Sequence, residues 1–91
     1  MGRVKTVETV VHNGTAIQFV RNAIGDVYEF NERRDMSVFF KNDKFTGTIV
    51  NEKGVVVPLT GKDWIVKSDE GAIITYSPAA FEEVYHITGE V

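Results

Sequence analysis

The sequence contains no cysteine and only two prolines among its 91 residues. Without cysteine there is no disulfide, no thiol nucleophile and no thiolate metal ligand. No apolar run approaches the roughly 20 residues that a membrane-spanning helix needs, and the first residues lack the apolar stretch of a signal peptide. We therefore expect a single domain over residues 1–91, located in the cytoplasm and held together by noncovalent packing.

Basic residues are in the minority, because ten Lys and Arg stand against thirteen Asp and Glu and give a net charge of −3. Proteins that bind duplex nucleic acid usually present a basic face, since much of their affinity comes from neutralising phosphates. The overall charge therefore argues against direct nucleic-acid binding, although it leaves room for a local basic patch.

Turn residues divide the chain into short strands. Asn13-Gly14 follows the β-branched run Val7–Val11 and predicts a type I′ hairpin turn into a second strand at Ala16–Val20. Two further loops that contain glycine, Asn51–Gly54 and Ser68–Gly71, predict two more hairpins.

Two segments predict helices. The apolar spacing from Ile24 to Tyr28 indicates a short helix over 23–33. Ser77 and Pro78 are typical of the N-cap and the first position of a second helix, which we expect to end at Gly89.

The connections between predicted strands are short, which favours antiparallel neighbours. The expected order is β-β-α-β-β-β-β-β-α, an α+β protein with a twisted, mainly antiparallel sheet of about six to seven strands and two short helices. A sheet curled towards an open barrel is one form of this fold. Pro58 has no N–H and is expected at a strand end or a sheet edge.

The polar residues form no recognisable catalytic or metal-binding pattern. His12 lies beside a turn and His86 lies near the end of the sequence. Neither has a nucleophile or a carboxylate at a spacing that suggests a catalytic pair. Two histidines without cysteine offer no close metal-ligand spacing, and the glycines form no phosphate-binding motif. We therefore predict no catalytic residue, no metal site and no cofactor.

One basic and aromatic cluster follows the first predicted helix. Its members are Arg33, Arg34, Phe39, Lys41, Lys44 and Phe45. The two arginines also suit the negative end of the helix dipole, which is a purely structural role. The functional alternative is contact with a phosphate or an acidic surface, with the phenyl rings as apolar or stacking partners.

Two segments of the chain carry a family resemblance. The first contains Ala16–Phe19, Asn22, Ile24, Asp26-Val27 and Glu29-Phe30, and the second contains Asp63–Lys67, Gly71, Tyr76, Pro78, Phe81, Glu82 and Tyr85. In this order they resemble small phage and prophage proteins with the pattern AIQF, then GDWIIKG and GEFYPCKPDIFEKTY. The resemblance covers roughly residues 16–87. It implies a phage or prophage origin and a small accessory gene product rather than a metabolic enzyme.

Three departures separate this chain from that pattern. Lys62 stands between Gly61 and Asp63, whereas the family has glycine directly before Asp-Trp. Ser77–Ala80 replaces the family's Cys-Lys-Pro-Asp, and Phe39–Asn42 has no counterpart of its mid-chain Leu-Glu-Gly. A role that the family performs through those polar positions would be lost here.

Three hypotheses for function follow. We expect a non-enzymatic, phage-derived protein that binds a host protein stoichiometrically and inhibits it, for example in antiviral defence, because an acidic protein can occupy a basic channel. The alternative is a homo-oligomer that sequesters a nucleotide-type small molecule through Arg33, Arg34, Lys41 and Phe39 or Phe40. The third is a structural or assembly component of a phage.

Overall fold

Eight strands and two short helices make up the computed structural model, which describes residues 3–8 and 13–90. The elements follow one another as β1 (Lys5–Glu8), β2 (Asn13–Gln18), a 3₁₀ turn (Arg21–Ala23), α1 (Ile24–Phe30), β3 (Met36–Lys41), β4 (Lys44–Val50), β5 (Val56–Thr60), β6 (Trp64–Ser68), β7 (Ile73–Tyr76), α2 (Pro78–Val84) and β8 (His86–Glu90). A five-stranded sheet has the order β7-β6-β2-β1-β8, and a three-stranded sheet has the order β3-β4-β5. All paired strands are antiparallel. The predicted α+β class is confirmed, and the described strands close no barrel.

The two helices are shorter than the sequence indicates. α2 stops at Val84, and His86–Glu90 form β8, which pairs with β1. Gly89 therefore lies inside a strand and does not end a helix. α1 ends at Phe30, and Glu32 and Arg33 both take a φ of 58° beyond its last turn.

The first predicted hairpin is confirmed, but its turn lies elsewhere. Glu8 pairs with Asn13, so Asn13-Gly14 belongs to β2 and is not the turn. The connection falls on 9–12, which lie outside the described residues, as do His12 and the end of the predicted first strand. A Cβ at Gly14 would collide with the carbonyl oxygen of Lys67 on β6, so glycine here permits the two strands to approach.

The predictions for the two glycine loops, the start of the second helix and Pro58 are confirmed. Gly54 and Gly71 have φ values of +78° and +89°, which glycine adopts without strain, in their predicted hairpin loops. Ser77 Oγ accepts a hydrogen bond from Ala80 N at 3.2 Å, and Pro78 follows it as the first residue of α2. Pro58 lies on β5, an edge strand of the three-stranded sheet.

Two apolar clusters lie on opposite faces of the five-stranded sheet. The alternation of β6 sends Ile65 to one cluster and Val66 to the other. The first joins both sheets and α1, and its buried members are Ile17, Phe19, Val27, Phe30, Ile49, Leu59, Ile65 and Ile73. The second contains Val7, Ala16, Val66 and Phe81. Trp64 stacks on Phe81 there, with 4.2 Å between ring centroids.

Two polar contacts tie the elements together around the first cluster. Asn31, only 1% exposed, donates its Nδ2–H to the carbonyl oxygen of Val50 at 2.9 Å and so joins the end of α1 to β4. The backbone N–H of Ile73 on β7 donates to Glu52 Oε1 at 2.9 Å. This hydrogen bond lowers the pKa of the Glu52 carboxyl, and it connects the β4–β5 loop to the five-stranded sheet.

We predict that Gly47→Ala lowers the free energy of unfolding by about 1–3 kcal/mol, because the new methyl would overpack the core. A Cβ at Gly47 would lie 2.5 Å from the carbonyl oxygen of Ser37 and 2.8 Å from Cζ of Phe19. Gly25 in α1 has open space around that position. Gly25→Ala is the control and should raise the free energy by about 0.5–1 kcal/mol. Urea unfolding measures both, and equal effects of the two substitutions would contradict the packing described.

Candidate functional site

A groove lies where the 3₁₀ turn, the β3–β4 turn and the β5–β6 turn come together. Its volume is about 600 Å³, and it is lined by Val20, Arg21, Asp43, Lys44, Phe45, Thr46, Thr60, Gly61 and Lys62. A smaller recess of about 260 Å³ adjoins it and adds Phe40, Lys41 and Asn42 to the lining. We call the groove and its recess the basic groove.

Phe45 provides the apolar floor of the basic groove. Its ring stacks on the fully buried Phe19, with 4.4 Å between ring centroids, and lies 5.2 Å from the ring of Phe40. Its carbonyl oxygen accepts a hydrogen bond from Gly61 N at 2.8 Å. The β5–β6 turn is fixed further by Lys62 N, which donates to the carbonyl oxygen of Phe19 at 2.7 Å. Contacts with the core residue Phe19 thus hold both the floor at Phe45 and the wall that the β5–β6 turn forms.

Four cations line the groove and its recess, with one acid among them. Arg21, Lys44 and Lys62 line the groove, Lys41 lines the recess, and Asp43 is the only carboxylate in the lining. In the part of the chain that the structure describes, none of the four forms an ion pair, although the protein is acidic overall. Unneutralised cations gathered in a concave site raise the local positive potential and attract anions.

Arg21 is held in a defined orientation. Its guanidinium carbon lies 4.7 Å from the centre of the Phe40 ring, which is a cation–π distance. A guanidinium fixed on an aromatic face loses little freedom when its planar fork of N–H donors meets a phosphate or a carboxylate.

Lys41 and Lys44 are placed directly opposite each other on β3 and β4. Between them Asn42 and Asp43 have φ values of 50° and 63°, which matches a two-residue type I′ turn. Like charges opposite each other in a strand pair destabilise the pair. Alternation places both side chains on the face opposite to Phe40 and Phe45, so the two lysines bring positive charge to the rim of the groove, at some cost to the hairpin.

Lys62 is also placed against a local preference. Its φ is +75°, in the left-handed region that costs a residue with a Cβ about 1 kcal/mol relative to glycine. Gly61, one residue earlier, does not have a positive φ. This chain thus carries a strained lysine at a turn where glycine would be relaxed.

No family model, curated protein or solved structure matches the chain. The phage resemblance therefore stays a prediction. Within residues 3–8 and 13–90 there is no group of three or more His, Cys, Asp or Glu that could hold a metal ion, and no helix long and apolar enough to cross a membrane.

The structure separates the predicted cluster into two parts. Lys41, Lys44 and Phe45 meet in the basic groove, where β3 ends and β4 begins. Arg33 and Arg34 follow α1, next to Asn31, which contacts the last residue of β4. β4 has seven residues, so at about 3.4 Å per residue its two ends lie about 20 Å apart. The two arginines do not belong to the groove.

Both arginines are engaged with neighbouring residues. Arg33 pairs with Glu29 one helical turn earlier, at 3.0 Å, and this hydrogen bond raises the pKa of the Arg33 guanidinium. Arg34 donates to Asn31 Oδ1 and to Glu32 Oε2, each at 3.2 Å. These contacts give the arginines a structural role at the end of α1.

Phe39 lies on β3 but outside the groove. It is not among the residues that line the groove or its recess, and alternation along the strand places it on the same face as Lys41, opposite to Phe40, with 54% of its surface exposed. The sequence interpretation missed Arg21 and Lys62, which come from two distant turns. The lysine in place of glycine before Asp63-Trp64 was the one available signal for the latter.

We predict that Arg34→Gln lowers the free energy of unfolding by about 1–2 kcal/mol, because it removes charge-assisted hydrogen bonds to Asn31 and Glu32. Lys44→Gln is the matched control in the groove. It should not lower the free energy, since it removes the repulsion from Lys41. Urea unfolding at low salt measures both. A loss at Lys44 as large as that at Arg34 would show that the groove cations serve the fold.

Proposed function

We propose that the protein is a non-enzymatic binding module that takes up a phosphate-bearing small molecule of nucleotide type in the basic groove. One observation carries the proposal. Lys41, Lys44 and Lys62 are placed against the local preferences of the fold, they line the groove and its recess together with Arg21, and they form no ion pair within residues 3–8 and 13–90. Strain and repulsion kept at a site are a reason to infer a role in binding.

The dimensions and the chemistry of the groove support this ligand class. Its volume of about 600 Å³ lies within the range of small-molecule sites, which is about 300–1,000 Å³. The Arg21 guanidinium can bind a phosphate with two parallel N–H donors, and the lysines supply point charges. The apolar floor at Phe45 suits the planar base. The phosphate and the base of a nucleotide thus each have a complementary partner in one site.

The biological role would be sequestration. A phage or prophage origin, which the sequence resemblance implies, and a site without recognisable catalytic residues fit a protein that lowers the free concentration of a nucleotide signal in the host cytoplasm. Such a protein acts stoichiometrically.

A host protein is the second candidate partner, and one observation favours it. Phe39 is 54% exposed and Val56 is 62% exposed on the outer face of the three-stranded sheet, where no described element covers them. Exposed aromatic side chains are common anchors of protein interfaces. Inhibition of a defence protein through this face would be lost in Phe39→Lys and kept in variants of the basic groove.

We predict that nucleoside phosphates raise the melting temperature of the protein and that Lys62→Gly weakens their binding by tenfold or more, since it removes a charged contact to phosphate. The ligand-free melting temperature of Lys62→Gly should hold or rise by a few degrees, because glycine relieves the positive φ. Calorimetry with a panel of linear and cyclic nucleotides measures the affinity.

The matched control is Lys53→Ala, which removes a lysine of the β4–β5 loop that lines neither the groove nor its recess. Its affinity should equal that of the wild type. No stabilisation by any nucleotide, or an equal loss in the Lys53 variant, would contradict the proposal.

A further inference from the structure

The three-stranded sheet has one edge that is open to pairing. Edge strands expose unpaired backbone groups, and proteins usually protect them with proline, charge or short length. β5 carries Pro58 at its centre, whereas β3 reads Met36–Lys41 with no proline and no charge before Lys41. With six residues, β3 is also longer than the edge strands β7 and β8 of the other sheet, which have four and five. β3 is therefore the least protected edge in the described part of the chain.

The turn geometry identifies the free backbone groups of β3. In a two-residue hairpin the flanking residues, here Lys41 and Lys44, form a hydrogen-bonded pair, and such pairs recur at every second residue. Phe39 and Ser37 therefore also bond to β4. The N–H and C=O groups of Met36, Val38 and Phe40 point away from β4 and are available to another strand.

We propose that this edge binds a second copy of the chain, with the two β3 strands antiparallel around a two-fold axis at Val38. The axis sets Met36 opposite Phe40 of the partner copy and joins the two three-stranded sheets into a six-stranded one. About six backbone hydrogen bonds form across the new strand pair. A two-fold interface of this kind uses the same surface on both copies.

Charge selects this register over its neighbours. With the axis at Val38, Asp35 lies opposite Lys41 of the partner copy, twice by symmetry. With the axis at Ser37, Asp35 would lie opposite Phe39 of the partner copy, and with the axis at Phe39, Lys41 would lie opposite Ser37 of the partner copy. Only the axis at Val38 therefore brings opposite charges together across the strands.

The two residues that would pair are available. Asp35 and Lys41 are both exposed, and neither side chain forms an ion pair or a hydrogen bond among the described residues. The carbonyl oxygen of Asp35 accepts a hydrogen bond from Val50 N at 3.0 Å, which fixes the residue in line with β3. Pairing would also cover part of Phe39 and Phe40, each 54% exposed.

Sedimentation velocity from about 1 to about 200 µM tests the proposal, because a small edge interface gives a weak dimer. The wild type should pass from monomer to dimer over this range. Asp35→Lys and Lys41→Asp should each weaken the dimer by tenfold or more, through like-charge contacts repeated by symmetry. The double variant, which restores opposite charges, should dimerise as the wild type does.

Lys53→Asp changes the charge to the same extent outside the edge and should leave the dimer intact. Circular dichroism of each variant shows whether it is folded. A wild type that stays monomeric at the highest concentration overturns the proposal. A double variant that is folded but remains monomeric overturns the register.

Discussion

The stacking of Phe19 on Phe45 joins the two sheets at one point, and the candidate site is built on that junction. Phe19 follows β2 of the five-stranded sheet, and Phe45 lies on β4 of the three-stranded sheet, with 4.4 Å between their ring centroids. The backbone of Phe19 also accepts from Lys62 N and donates to the carbonyl oxygen of Asp63, each at 2.7 Å. Packing of the core and placement of the β5–β6 turn therefore depend on the same residue. A rigid junction of this kind lets a small domain hold a site in position.

The cations of this protein fall into two groups: those that form ion pairs within the fold and those that line the basic groove. Arg33 pairs with Glu29, Arg34 and Lys67 share Glu32, and Lys67 also lies over the ring of Phe30 at 4.7 Å. Among the described residues, the groove cations have no carboxylate partner. Lys62 keeps an unfavourable φ, and Lys41 faces Lys44 across the hairpin. Natural proteins tolerate local costs of this kind where function requires them.

Much of the fold follows from local chemistry in the sequence. The loops ending at Gly54 and Gly71, the Ser77-Pro78 helix start and the edge position of Pro58 each depend on a few neighbouring residues, so the sequence predicts them correctly. β8 and the split into two sheets depend on partners far apart in the chain. β8 pairs with β1 about 80 residues earlier, and helical spacing around Phe81 gives no sign of it.

The candidate site follows the same rule. Lys41, Lys44 and Phe45 belong to one hairpin, and their proximity could be predicted. Arg21 and Lys62 reach the groove only because the Phe19 junction brings two distant turns together. Arg33 and Arg34 are close to that hairpin in sequence, yet in the fold they lie beside the opposite end of β4. Proximity in the sequence was therefore a wrong reason to group Arg33 and Arg34 with the groove residues.

The most direct test of the account is a titration of isotope-labelled protein with pyrophosphate and with a nucleoside diphosphate, followed by amide chemical shifts. The account predicts shifts at Lys44, Phe45, Gly61 and Lys62, with larger shifts for the nucleotide because its base contacts the floor at Phe45. The amides of Arg33 and Arg34 should stay unchanged. Shifts centred on those two arginines, or none with either ligand, would contradict the assignment of the basic groove as the binding site.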